Sequence, residues 1–248
     1  MNDMLLSVVV GSLAGIVGTG LGGALAFLLK HPTKRYLSTV LGFSAGLMIS
    51  VVCFDLLPRA FETGGLTNGL VGALAGVIIM AILQDIFNRN KTGGGRLKRA
   101  DKDYVKTGIL LGIGIGLHNF PEGLAIGTGF TSMHTFGIGL SIVIALHDIP
   151  EGIAMATPMR IGGLARARVI IYSLLAGIPT GIGALVGYIL GEISALFICL
   201  CLGFAGGAML YITCSELIPE SRDLYKGRIS AMGLVAGMFA GILITNLF

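Results

Sequence analysis

The stretch His118-Asn119-Phe120-Pro121-Glu122-Gly123-Leu124-Ala125-Ile126-Gly127 is followed, at an offset of 29 residues, by a near-copy, His147-Asp148-Ile149-Pro150-Glu151-Gly152-Ile153-Ala154-Met155-Ala156. On a helix, a His and a Glu four residues apart project from one face, with Asn119 or Asp148 on its flank. Two such faces turned together gather two imidazoles, three carboxylates and an amide, the side chains of a metal site. Pro121 and Pro150 each remove a helical N–H and free the carbonyls of Leu117 and Leu146. Both helices are therefore expected to kink at the motif, which a membrane tolerates where the broken backbone lines a cavity or is covered by protein. Gly123 and Gly152 allow close approach of a neighbouring helix.

The surrounding chain sets the compartment. It is 54% hydrophobic and only 12% charged, with 40 glycines and no tryptophan, whereas a soluble domain carries roughly twice that charge. With a mean hydropathy of +0.89, the chain is an all-α integral membrane protein. A bilayer core about 30 Å thick takes about 20 apolar residues per helix. Eight such spans fit: Met4–Leu29, Tyr36–Phe61, Gly69–Phe87, Tyr104–Phe130, Thr135–Pro158, Arg168–Leu190, Ser194–Pro219 and Arg228–Phe248. The first begins Asn2-Asp3 without a basic region and is too long for a signal peptide, so it reads as a retained span.

Basic residues fall on alternate connections: Lys30, Lys34 and Arg35; seven between Arg89 and Lys106; Arg160, Arg166 and Arg168; Arg222, Lys226 and Arg228. The opposite side carries only Arg59. By the positive-inside rule the basic connections are cytoplasmic, and both termini of this multi-pass protein of the plasma (inner) membrane lie outside. The net charge of +4 thus reports topology, and no nucleic acid partner is implied. The 88–103 connection, basic, glycine-rich and without His or Cys, reads as a solvated cytoplasmic loop. Cys53, Cys199, Cys201 and Cys214 fall in apolar spans and read as small hydrophobes.

A second repeat appears at a constant offset of 161 residues. Thr19-Gly20 matches Thr180-Gly181, Leu41-Gly42-Phe43 matches Leu202-Gly203-Phe204, and Cys53 and Pro58 match Cys214 and Pro219. Spans 1 to 3 are thus copied in spans 6 to 8. Five spans separate equivalent members, so the copies enter the membrane from opposite sides and the repeat is inverted, around the pair formed by spans 4 and 5. This 3+2+3 plan divides the single domain into a first repeat at 1–87, the loop at 88–103, the central pair at 104–158 and the second repeat at 168–248. Inverted repeats around a midplane polar site are the plan of secondary transporters. His118 and His147 both lie roughly 18–20 Å along their antiparallel spans, near the bilayer centre.

The outer repeats add symmetry-related polar residues. Asp55 corresponds to Glu216 and Asp85 to Asn246. By orientation, Asp55 and Asn246 would flank an outer entrance to a cation path, and Glu216 and Asp85 an inner exit. The blander alternative, a hydrogen-bonded network that only ties helices together, is weakened at the midplane by the cost of burying ionisable groups in a membrane.

At these motifs the sequence resembles the ZIP (Zrt/Irt-like) family of divalent metal transporters, in particular its bacterial GufA-like branch. The likeness extends to Gly206-Gly207-Ala208-Met209 and Glu216-Leu217-Ile218-Pro219-Glu220. The resemblance implies uptake of zinc, with iron, manganese or cadmium as further substrates. It also implies a primary metal site of His118, Glu122, His147 and Glu151, with Asn119 and Asp148 joining the two glutamates around a second ion. Asp55 looks like the family's outer acid, and Glu216 with Asp85 like its inner ones. In span 6, where many relatives carry a Glu beside a proline, this chain has Thr180 after Pro179, which removes a charged ligand from the second position.

A nitrogen and oxygen ligand set without midplane thiolate suits zinc and its first-row neighbours. The metal is then substrate, and no resident cofactor is expected. No phosphate-binding glycine motif is present. The rival reading is a membrane metalloenzyme with a dinuclear site, which would need an open coordination position beside a substrate cavity. The glycine-rich faces permit a homodimer.

Overall fold

A computed structural model describes residues 3–28, 33–91 and 100–245. Helix α1 spans Asp3–Leu28, α2 Lys34–Val51, α3 Leu57–Gly64, α4 Leu66–Lys91, α5 Ala100–Ser132, α6 His134–Ile161, α7 Arg166–Ala176, α8 Ile178–Gly191, α9 Ala195–Ile212, α10 Ile218–Leu224 and α11 Ile229–Thr245. Among the described residues, seven continuous helical stretches are long and apolar enough to cross a membrane, and a shorter apolar helix covers Ile229–Ile244. These are the eight expected spans, in the expected order.

The repeat is visible in local structure. α2 is joined to α3 by a π-turn at Val52–Leu56, and α9 to α10 by one at Thr213–Leu217, which is the same feature displaced by 161. In each turn an N–H reaches five residues back, Leu57 to Val52 and Ile218 to Thr213. Pro58 and Pro219 follow directly and lack the N–H that would continue the α pattern, so the wider turn absorbs the mismatch. The N-caps match as well: Thr33 Oγ1 accepts from Tyr36 N–H at 3.2 Å, and Ser194 Oγ from Phe197 N–H at 3.4 Å.

Packing groups the helices into two bundles. In one, α1 lies along α6, and α5 along α8. In the other, α2 lies along α11, and α4 along α9. Each contact is the symmetry mate of another. Gly152 meets the backbone of Thr19 on α1, and Gly123 meets that of Thr180 on α8; the Cβ of any other residue would collide with the carbonyl oxygen at either place. Glycine is required here because bare backbone is the contact surface, which lets the motif helices seat against their partners. An apolar cluster then joins the bundles. It includes Ile126, Phe130, Val143 and Ile144 from one, and Met48, Val52, Leu202 and Met209 from the other.

Three details add to the sequence reading. The helical pattern continues through Pro121 and Pro150, so neither motif breaks its helix. Span 6 does break, at Gly177 between α7 and α8, where Gly177 seats against the Gly15 backbone and Pro179 opens the new helix. Of the cysteines, Cys199 and Cys201 are buried as expected, but Cys53 and Cys214 are exposed.

Candidate metal centre

The midplane motifs meet where α5 and α6 cross. Glu122, His147 and Glu151 each offer a ligand atom, all within 4.8 Å of one another. His147 Nε2 lies 2.9 Å from Glu122 Oε1 and 3.5 Å from Asp148 Oδ1. On the other side of the ring, His147 Nδ1 lies 3.2 Å from the Val143 carbonyl oxygen. A carbonyl there selects the tautomer with its proton on Nδ1, which turns the Nε2 lone pair towards the carboxylates, the arrangement of a metal-ligating imidazole. Ser44 Oγ on α2 donates to the His147 carbonyl oxygen at 3.2 Å, tying the site's helix to the second bundle.

His118 stands one turn of α5 nearer the basic side than Glu122. Its Nε2 lies 3.2 Å from Glu216 Oε2, and Glu216 Oε1 accepts from Gln84 Nε2 at 2.7 Å. His118 is therefore paired with Glu216 and stands outside the close group formed by Glu122, His147 and Glu151. Asn119 Nδ2 donates to the Ala176 carbonyl oxygen at 2.8 Å, beside the break in span 6.

The buried groups are short of donors. His118, Asn119, Glu122, His147, Asp148 and Glu151 are all at most 5% exposed. Glu122 Oε2, both oxygens of Asp148 and of Glu151, Asn119 Oδ1 and His118 Nδ1 have no hydrogen-bond partner among the described residues. Orphaned carboxylate oxygens at such depth are costly unless a cation joins them. A zinc ion with ligands at about 2.0–2.1 Å holds them about 3.3 Å apart. The observed group would close by an ångström or so around one ion, and its oxygen and nitrogen donors fit that chemistry.

A cavity of about 480 Å³ reaches this centre. Its inner end is formed by His118 and Glu151, its wall by Glu216 and Gln84, and its mouth by Lys34, Glu220 and Asp223. The mouth lies on the side of the basic connections. Glu122 and His147 are not part of the lining. Beyond them, Ile126, Phe130, Val143 and Ile144 pack against Val52 and Leu56 and fill the opposite half.

The remaining expected path residues divide. Glu216 lines the cavity from the second π-turn, and Asp55, half-buried, sits at the equivalent place in the first. Asp85 is exposed and does not line the cavity; its neighbour Gln84 does, because successive helical residues point about 100° apart. Thr180 is fully buried, its hydroxyl against the Gly15 position and its carbonyl against Gly123, so it serves the α8–α5 and α8–α1 contacts. Asn246 lies outside the described residues. Sequence reasoning missed Gln84, Ser44 and Asp223. Gln84 carried a signal, an amide within an apolar span one residue from the acid that was chosen.

Comparison with known proteins identifies the family. A family model described as ZIP Zinc transporter matches residues 89–247. The chain is 34% identical over 256 residues to a protein named Zinc transporter ZupT from Chlorobium phaeovibrioides, with 96% of each chain covered. It is 32% identical over 271 residues to the Zinc transporter ZupT of Clostridium perfringens, covering 96% of this chain and 94% of that one. With that of Corynebacterium glutamicum the identity is 33% over 240 residues, covering 90% and 91%. Paired His and Glu motifs, inverted three-helix repeats and near full-length similarity converge on one conclusion: the chain belongs to the ZIP zinc transporter family.

Proposed function

We propose that this protein imports divalent transition-metal ions, zinc first among them and iron, manganese or cadmium as further substrates, across the plasma membrane into the cytoplasm. The observation that carries the reading is the buried group of Glu122, His147 and Glu151, with its orphaned carboxylate oxygens, at the end of a cavity that opens towards the basic side. Placing that side in the cytoplasm, with both termini outside, follows from the distribution of Lys and Arg. The conformation is then inward-facing, with the apolar cluster closing the outer half.

In this reading the ion is held by Glu122, His147, Glu151 and His118, with Asp148 and Asn119 at the flank. It leaves past Glu216 towards Glu220 and Asp223. Asp55, in the symmetry-related π-turn, would receive the ion when the outer half opens. Alternation between the two states would move one bundle against the other, the mode that inverted repeats permit. A doubly charged ion moving inward gains about 4.6 kcal/mol per 100 mV, about three decades of concentration. No ATP is required. Family membership places the chain with transporters, and the dinuclear enzyme finds no support.

The test is zinc entry into proteoliposomes holding the purified protein and a trapped fluorescent indicator, under an inside-negative potential. Saturable influx is expected from the wild type and none from the His118→Ala, Glu122→Ala double variant. Equal signals from both, or silence with zinc, iron(II), manganese and cadmium in turn, would overturn the reading.

A further inference from the structure

A second cavity, of about 700 Å³, lies beside the mouth of the metal cavity, between the end of α10 and the start of α11. Its rim carries Arg222, Lys226 and Arg228 against a single carboxylate, Asp223. Its wall is apolar, with Leu234 and Val235 on α11. These lie five and six residues beyond Ile229, where α11 begins, and so about 8–9 Å deeper along the helix axis. The rim is also tethered: Arg35 at the start of α2 stacks on Tyr225, 6.0 Å from the ring centroid. Beneath it, Ser221 Oγ donates to the Ser38 carbonyl oxygen at 2.6 Å and lies 2.7 Å from Ser230 Oγ. The basic segment is thereby fastened to α2 and α11.

The gradient from three cations to bare hydrocarbon, across about one turn and a half of helix at a membrane boundary, is the gradient of a phospholipid. We propose that this cavity is a binding site for an anionic phospholipid, with the headgroup phosphate among Arg222, Lys226 and Arg228 and an acyl chain along Leu234 and Val235. Arginine forks suit phosphate oxygens bidentately. A free phosphate would satisfy the rim but not the wall, which is why the lipid is the occupant. The site shares Asp223 with the mouth of the metal cavity, so a bound lipid would border the exit. The inference is independent of which metal, or whether any metal, is carried.

The test is native mass spectrometry of the full-length protein in detergent, titrated with phosphatidylglycerol and separately with phosphatidylcholine. At about fivefold per basic residue, the Arg222→Gln, Lys226→Gln, Arg228→Gln variant is expected to bind phosphatidylglycerol on the order of a hundredfold more weakly. An Arg166→Gln, Arg168→Gln variant, which also removes basic charge but from another connection, is expected to bind like the wild type. If the triple variant does not fold, each single substitution reads the same site with about a fivefold loss. Equal retention of both lipids, equal loss in the Arg166 and Arg168 variant, or displacement of the lipid by millimolar inorganic phosphate would each overturn the proposal.

Discussion

Replacing Gly152 by alanine probes how the metal helices are seated. A Cβ on Gly152 would collide with the Thr19 carbonyl oxygen and crowd Gly22 Cα, both backbone atoms of α1. Neither can rotate away, so α1 and α6 must separate by roughly 1 Å to restore ordinary contact at about 3.5 Å. Overpacking costs about 1–3 kcal/mol, and rigid backbone on the far side places this case near 3. Alanine recovers about 1 kcal/mol of helix propensity relative to glycine, which leaves a net loss of about 2. That corresponds to a fall of about 4–8 °C in melting temperature. Glu151 is the adjacent residue and shifts with the helix, so metal affinity should drop about 10- to 100-fold, as when an orienting partner is lost. Gly114 on α5 is the control, because no atom of a packing neighbour lies within 4 Å of its would-be Cβ; Gly114→Ala should be neutral or gain up to about 1 kcal/mol of stability. The protein has no tryptophan, but Cys199 and Cys201 are buried. With the exposed Cys53 and Cys214 replaced by serine, a maleimide dye that fluoresces on reaction therefore follows unfolding. If Gly152→Ala melted and bound zinc like the wild type, the close backbone seating of α6 on α1 would be wrong.

Three further outcomes follow from the site. Glu151 lines the cavity whereas Ile126 is fully buried on its far side, so, in a background with the exposed Cys53 and Cys214 replaced by serine, a hydrophilic thiol reagent added from the basic side should label Glu151→Cys and spare Ile126→Cys; labelling of both would remove the seal. Gln84→Leu removes the donor to Glu216, a hydrogen bond to a charged group worth about 1.5–3 kcal/mol, and should alter the zinc release rate, while Asp85→Asn, at an exposed position off the cavity, should not; stopped-flow efflux separates them. Protons compete for the imidazole nitrogens and carboxylate oxygens that hold the metal, so zinc affinity measured by calorimetry should fall from about pH 8 to about pH 6, and a flat profile would exclude His147 and His118 as ligands.

Much of this architecture was legible in the sequence because it is written there twice. The offset of 161 residues that aligns Thr19 with Thr180 also aligns the caps Thr33 and Ser194 and the two π-turns. A proline after a run of apolar residues announces a disturbed turn, but whether a π-turn or a break results depends on the partner's surface. Pro58 and Pro219 follow π-turns, Pro179 follows a break made beside Gly15, and Pro121 and Pro150 pass through continuous helix. Helix pairing was likewise hidden, since Gly123 and Gly152 signal close approach without naming Thr180 and Thr19. Gln84 beside Asp85 shows the same limit: charge identifies a polar residue, and only the helix's rotation decides which of two neighbours faces the cavity. Antiparallel α5 and α6 place the His of one motif level with the Glu of the other, so His118 shares the inner end of the cavity with Glu151, and there Glu216 of the second π-turn reaches it.

The most direct test is the zinc X-ray absorption spectrum of the purified, metal-loaded protein beside that of a His147→Ala, Glu122→Gln variant. The account predicts a first shell of nitrogen and oxygen at about 2.0–2.1 Å in the wild type, with imidazole scattering that weakens in the variant along with bound zinc. A sulfur shell at about 2.3 Å, or an unchanged spectrum in the variant, would place the metal elsewhere and contradict it.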